Sequence, residues 1–401
     1  MVENKTILKN KFIIFLMIVA FIQPDYLRSI NLITMLYIGL LFLVCFLFFV
    51  YMVQNKMKIK TDRLIVLLFI YSFYTVAVTV ITGGRVFNAF RFFLFSLLLC
   101  LIYNELLRNE KESFIKIGSI IFEIFLYANL VITLMFPDGI YETYRLVFDS
   151  SGNFFLRLNR NAHFLLGHRN NVVYFILTAL AFSFTDSYLS RNKVGIRTIL
   201  LFLISWITVI ATWSANSIVA MLMISICLII ANTKLSRLIN PYTGFIFSIA
   251  FFFGIIILRL QRVFSWFIEG LLNKSLTLTG REALWDNTIN SIKNNPIFGH
   301  GDNDNFQRLI DIGHMNSAHN IYLDLLYKGG IVQLVLFLII MFHVMKKIKI
   351  HSDIYIYKVF SSLFLGYFVV LSATPLSDFH FSLFLVFLII CNNIEILRKK
   401  S

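Results

Sequence analysis

Charge is scarce in this chain. Asp, Glu, Lys and Arg make up 14% of its 401 residues, where a soluble globular chain carries about 25%. That excludes an ordinary cytosolic enzyme. Proline is rarer still, with 5 residues against 44 Phe. Together with a hydrophobic share of 58%, this excludes a collagen-like or disordered chain. Cysteine is limited to Cys45, Cys100, Cys227 and Cys391, each inside an apolar run. A disulfide framework and a cysteine-ligated metal are therefore not expected. There is no nucleotide-binding loop, no internal repeat, and no pair of Gly/Pro-broken spans of the kind transporters use.

What remains is a chain of long apolar runs separated by short basic segments, the pattern of an all-α polytopic membrane protein. A span needs roughly 20 mostly apolar residues. Runs near 8–24, 30–53, 63–82, 86–107, 114–136, 170–187, 197–212, 216–231, 243–260, 330–345, 355–373 and 376–395 give about twelve transmembrane helices. The long stretch 197–231 is split at Thr212–Asn216, where Ser, Thr and Asn cluster. Lys5, Lys9 and Lys11 precede the first run, and no small-x-small cleavage site follows it. It reads as a retained helix with its N-terminus inside.

The net charge of +15 fits this topology and does not argue for nucleic acid. With the N-terminus inside, every short inner segment carries two or more Lys or Arg: Lys56 to Arg63, Arg108 to Lys116, Arg191 to Arg197, Lys234 and Arg237, Lys346 to Lys358, and Arg398 to Lys400. The positive-inside rule then puts both termini in the cytoplasm. It puts the two long loops, about 137–169 and 261–329, on the outer face. Loops of that length usually serve function. The expected organisation is helices 1–9 with the loop 137–169 over residues 1–260, a large, partly helical catalytic loop over 261–329, and helices 10–12 with a basic tail over 330–401.

The larger loop carries its own punctuation. In TLTGREALWDNTINSIKNNP, Thr279 and Glu282 form a capping box, Trp285, Ile289 and Ile292 recur at helical spacing, and Asn294 to Pro296 stop the helix. Arg281 falls in the first turn, where free N–H groups and the helix dipole favour an anion such as phosphate. The plainer reading is a surface Arg beside Glu282 or lipid headgroups. In GHGDNDNF, Asp302 and Asp304 fail the calcium-loop pattern and read as a turn or helix cap. In SAHNIYLDLLYKGGI, a helix is expected from about Ala318 to Lys328 with Gly329 as its C-cap. His319 and Tyr322 would share one face. An imidazole with a pKa near 6.5 suits proton abstraction from a hydroxyl; a structural His at the interface is the alternative. Glu123, an acid inside the fifth span, is a functional suspect by default.

The order GR-x-x-x-W, NPIFGHG and HNIYLDLLYKGGI entering an apolar helix resembles the O-antigen ligase and O-antigen polymerase superfamily over about 280–340. These are bacterial enzymes that handle polyprenyl-pyrophosphate-linked glycans. The resemblance implies a GT-C-like membrane glycosyltransferase in the cytoplasmic (inner) membrane. It also implies an inverting, metal-independent transfer that uses no cofactor. Its partners would be an undecaprenyl-pyrophosphate-linked oligosaccharide, membrane lipid and a chain-length regulator. Arg281 and His319 take the places of the family's loop arginine and histidine, with Asn320 and Tyr322 beside them for the glycan. Many relatives also carry Ser-Arg at a middle turn. Here that turn is TWSANS, with Ala215 and Asn216 instead. Arg169, Arg157 or Arg160 would supply the missing charge; their alternative is headgroup contact. The departure favours a polymerase of O-antigen or capsule repeat units over a ligase acting on lipid A-core, and a flippase or transporter ranks below both.

Overall fold

The computed structural model of the chain describes residues 7–54, 62–141, 143–148, 154–159, 162–260, 263, 281–313, 317–350, 355–374 and 376–397. Its helices in chain order are α1 (Lys11–Val19), α2 (Asp25–Arg28), α3 (Asn31–Gln54), α4 (Arg63–Ile81), α5 (Val86–Asn109), α6 (Lys111–Met135), α7 (Val172–Arg191), α8 (Ile196–Thr212), α9 (Ala215–Ile230), α10 (Pro241–Phe251), α11 (Arg281–Asn294), α12 (Asn305–Ile312), α13 (Ile321–Lys349), α14 (Tyr355–Leu371) and α15 (Asp378–Asn392). Each of the twelve apolar runs contains one of these helices. Six of them, α3 to α7 and α13, are long and apolar enough to cross a membrane, and α8, α9, α10 with its extension to Ile257, α14 and α15 are shorter apolar helices. By length and composition these are six candidate membrane spans, the pattern of a multi-pass membrane protein, and not the full dozen.

Local chemistry explains the boundaries. Trp213 takes a left-handed φ of 48° after α8, and that break splits the 197–231 stretch. Asn240 caps α10 through bonds from the Tyr242 and Thr243 N–H groups, with Pro241 at the first helical position. A π-helical segment, Phe252–Ile257, continues α10. The expectation of an all-α chain needs one correction. Strands β1 (Thr143–Phe148) and β2 (Phe154–Asn159) form an antiparallel pair within the 137–169 loop, and β3 (His163–Phe164) pairs with β4 (Gly167–His168). TYRLVF and FFLRLN are rich in aromatic and branched residues and flank a DSSGN turn sequence, which is hairpin composition.

The chain divides into two compact units. The first comprises residues 1–61, 98–218 and 379–401. Here Leu165 and Leu166 of the 137–169 loop bond to Tyr26 N and Asn129 Oδ1, through Leu165 O and Leu166 N. At the other end Lys111 Nζ donates to Ile396 O at 2.8 Å, and Asn393 Nδ2 to Asn104 Oδ1 at 3.0 Å. Those ends group the connections as the charge pattern does. Within the same unit Glu123, the intramembrane acid, accepts from Arg197 Nε at 2.5 Å and Ser119 Oγ at 3.0 Å. Its charge is thereby accounted for by a structural pair.

The second unit comprises residues 62–97 and 219–378. α13 packs along α4, with Gln333 Nε2 bonded to Tyr71 Oη at 3.2 Å and Thr75 Oγ1 at 3.1 Å. α13 is two helices joined at a kink: Gly329 has φ −134° and Gly330 has φ +63°. The expected stop at Gly329 therefore exists, and the chain resumes as a helix at Ile331, two residues later. The loop helices α11 and α12 pack on the short limb, residues 321–328, through Leu284, Ile312 and Tyr327.

Candidate active site

Arg281 is the first residue of α11. Thr279, the other half of the expected capping box with Glu282, lies outside the described residues. Among the described residues the Arg281 side chain has no ion pair and no hydrogen bond. Burial pulls its guanidinium below the usual value, with no carboxylate among the described residues offsetting it. A desolvated cation on the positive end of a 14-residue helix is an arrangement that an anion would complete.

Arg259 comes to the same turn from the end of the π segment. Its Nη2 bonds the Asp286 carboxylate and reaches Glu282 O at 3.5 Å, while the guanidinium lies 5.6 Å from the Trp285 ring centroid. Its Nη1 is buried without a partner among the described residues. Reading the sequence missed Arg259, which sits at the C-terminal end of an apolar run. An Arg at that boundary, just before the long loop, was the available signal.

Trp285 is fully buried and links α11 to the histidine segment: its Nε1 donates to Ala318 O at 3.0 Å. The N–H of Ala318 donates to Asp324 Oδ1 at 2.7 Å. Both polar ends of one peptide residue are thus fixed. His319 follows with φ +53°, a left-handed conformation uncommon for a side-chain-bearing residue. This corrects the expected helix start. His319 lies before the helix, and Asn320 is its N-cap, accepting from Tyr322 N at 3.0 Å and Leu323 N at 3.2 Å. Asn is among the best N-cap residues, and His is not. His319 and Tyr322 therefore do not share a helical face. Asn320 is fully buried and its Nδ2 donates to Ser372 O at 3.1 Å; Tyr322 Oη donates to Ser248 Oγ at 2.9 Å, which pairs with Ser372 Oγ at 2.7 Å. These two residues anchor the segment to α10 and the end of α14. His319 is the half-buried member of the motif.

The glycines of NPIFGHG and KGG meet one another. Ile331 N donates to Pro296 O at 2.9 Å, His300 N to Tyr327 O at 2.8 Å and Gly301 N to Lys328 O at 2.7 Å. A Cβ on Gly299 would lie 2.6 Å from the N atoms of Gly329 and Gly330, and one on Gly330 would lie 2.1 Å from Ile297 O. The glycines allow two backbones to touch at the kink. Asp302 then receives Arg85 at 3.2 Å and Arg308, and Arg85 N donates to Asp302 O at 2.7 Å. Asp304 caps α12 by accepting from Gln307 N at 2.7 Å. The D-x-D pair is a clamp and a cap.

In the first unit, Arg169 stands between β4 and α7, with Nε buried and unpartnered among the described residues. Its neighbour Asn170 accepts from Ser214 Oγ at 3.0 Å. The GHRNN segment therefore rests on the TWSANS turn, the place of Ala215 and Asn216. Next to Arg169, burial pushes the His168 imidazole down to about 3, so that ring is neutral near neutrality. Arg157 is opposite Arg145 in the β1–β2 ladder; its side chain, and Arg160 altogether, lie outside the described residues.

No curated protein and no solved structure matches the chain. The Wzy_C family model, described as O-antigen ligase, matches residues 200–338. The matched segment runs from α8 to the membrane limb of α13, so it contains Arg259, Arg281, Trp285, the glycine contact and His319. Residues 200–338 are thus similar to the O-antigen ligase family, which supports the resemblance to the O-antigen ligase and polymerase superfamily.

Proposed function

We propose that the chain polymerises surface polysaccharide repeat units on the outer face of a bacterial cytoplasmic membrane. The donor glycan is held by undecaprenyl pyrophosphate, and the acceptor is a hydroxyl of a lipid-linked repeat. The C1–O bond to pyrophosphate breaks while the acceptor oxygen bonds C1 from the opposite face, inverting the centre. The acceptor proton passes to His319, and undecaprenyl pyrophosphate leaves. Arg281, with Arg259 beside it, offsets the charge developing on the leaving group. The observation that carries this reading is Arg281, buried on a helix N-terminus with no ion pair among the described residues, in the same unit as a strained, held His319. Arg169 is the arginine proposed in place of the one absent at Ala215–Asn216, supported by the Ser214–Asn170 bond.

Lys keeps the charge at position 281 but loses the planar fork that pairs with phosphate. Arg281→Lys in the source strain should remove most long-chain glycan at normal protein level, read as a polysaccharide ladder. A wild-type ladder would return Arg281 to an ordinary surface role. A second reading, ligation of the finished glycan to lipid A-core, is favoured by the description of the matching family. In that case the same variant would leave intact polymer stranded on undecaprenyl pyrophosphate.

A further inference from the structure

A cavity of about 560 Å³ opens in the second unit, away from Arg281. Its walls are the α4–α5 turn, including Arg85, together with Asn295, His300, Asn303, Gln307 and Asp311. Asn295 directly follows the helix that Arg281 begins, so the cavity wall there stands about 20 Å from Arg281 along that axis. From the position of this cavity and its lining we infer that it binds uncharged sugar residues of the glycan, well removed from the reacting hydroxyl. The inference rests on the glycan-transfer reading above and adds a separate subsite to it.

The chemistry of the wall selects the ligand. Side-chain amides both donate and accept, carboxylates accept, and no large apolar side chain lines the space among the described residues; hydroxyl groups satisfy such a set. Phosphate does not fit. Arg85 is engaged with Asp302, as is Arg308, while the carboxylates of Asp304 and Asp311 remain on the wall. The wall is also fixed in place. Asp311 Oδ2 accepts from Tyr327 Oη at 2.5 Å and Oδ1 from Gln307 Nε2 at 2.8 Å; Asn303 Nδ2 reaches Tyr327 Oη at 3.3 Å. His300 stacks on Tyr327 with centroids 5.0 Å apart and bonds Ser291 O at 2.9 Å through Nε2. Polar groups held in this way need little ordering when a ligand arrives. The cavity volume lies within the range of small-ligand sites, about 300–1,000 Å³.

The test uses the full chain in lipid nanodiscs and saturation-transfer NMR. One probe is the source strain's surface polysaccharide, freed of lipid by mild acid; the other is a single repeat cut from it. Wild type should bind the long probe. Gln307→Ala combined with Asn303→Ala should weaken binding at least about tenfold, and Gln307→Trp, a filling change at an exposed position, should abolish it. Arg281→Ala should bind as wild type does. Binding of both probes would assign the cavity to the repeat unit, and binding of the long probe alone to the growing chain; either supports the inference. No binding by wild type, or binding lost with Arg281→Ala and kept by both cavity variants, would overturn it. Wild-type protein that polymerises lipid-linked repeats without binding either probe would sink the cavity alone. Protein that binds glycan without polymerising would sink the polymerase reading instead.

Discussion

His319 adopts a conformation that side chains tend to avoid, and its neighbours hold it there. A left-handed residue costs on the order of 1–2 kcal/mol, and such outliers gather where function needs a fixed group. Trp285 and Asp324 hold the preceding peptide from its two ends. Trp285→Phe keeps most of the packing and leaves the buried Ala318 carbonyl without its donor, a loss of roughly 1–3 kcal/mol. Thermal unfolding in nanodiscs should fall accordingly, and polymer yield should fall further than the lost folded protein explains. Equal losses in both would reduce Trp285 to a packing residue. Asp324→Asn still offers an oxygen to the Ala318 N–H and should retain most activity. Asp324→Leu should lower kcat with little change in KM. Matching effects from the two replacements would remove Asp324 from the support of His319.

The elements owe their form to contacts between short motifs. NPIFGHG and KGG are separated in sequence but lie backbone to backbone. Gly330 combines a φ of +63° with a near neighbour at 2.1 Å from any added Cβ, whereas Gly83, at φ +71°, has open space around it. Gly330→Ala should therefore cost the conformational penalty plus a displaced loop and abolish folding or activity. Gly83→Ala should cost only about 1–2 kcal/mol. Similar stability of the two variants would show that the kink tolerates separation of the two backbones. Much at this scale was legible beforehand. Apolar runs marked the helices, Asn294 to Pro296 marked the end of α11, and the Ser/Asn cluster marked the break at Trp213. The start of α13 was misread because His319 was weighed for chemistry and Asn320 was not weighed as a cap. The Asp302 clamp could not have been read: its partner Arg85 is 217 residues away in sequence. The β1–β2 hairpin was missed because the 137–169 loop was read for its length and place and not for the strand composition of TYRLVF and FFLRLN.

For the whole molecule, apolar runs and basic connections decide the class, and contacts within each unit group the connections by end. The expected orientation is open to direct measurement. Ala283 is exposed on α11 and Lys193 is exposed after α7. In a cysteine-free background, Ala283→Cys should react with an impermeant thiol reagent in cells whose outer barrier is opened, and Lys193→Cys should react only after lysis. The reverse pattern would invert the topology and remove the outer-face chemistry with it.

The proposed reaction depends most on the proton taken by His319. Lipid-linked repeats incubated with the purified His319→Gln protein give the most direct test, because Gln keeps a hydrogen-bonding side chain but cannot accept the proton at neutral pH. A general base contributes about 10²–10⁴-fold in rate. The variant should leave single repeats unpolymerised over times in which wild type builds a full ladder. A ladder formed at the wild-type rate would show that His319 only orients the substrate, and the general-base assignment would be wrong.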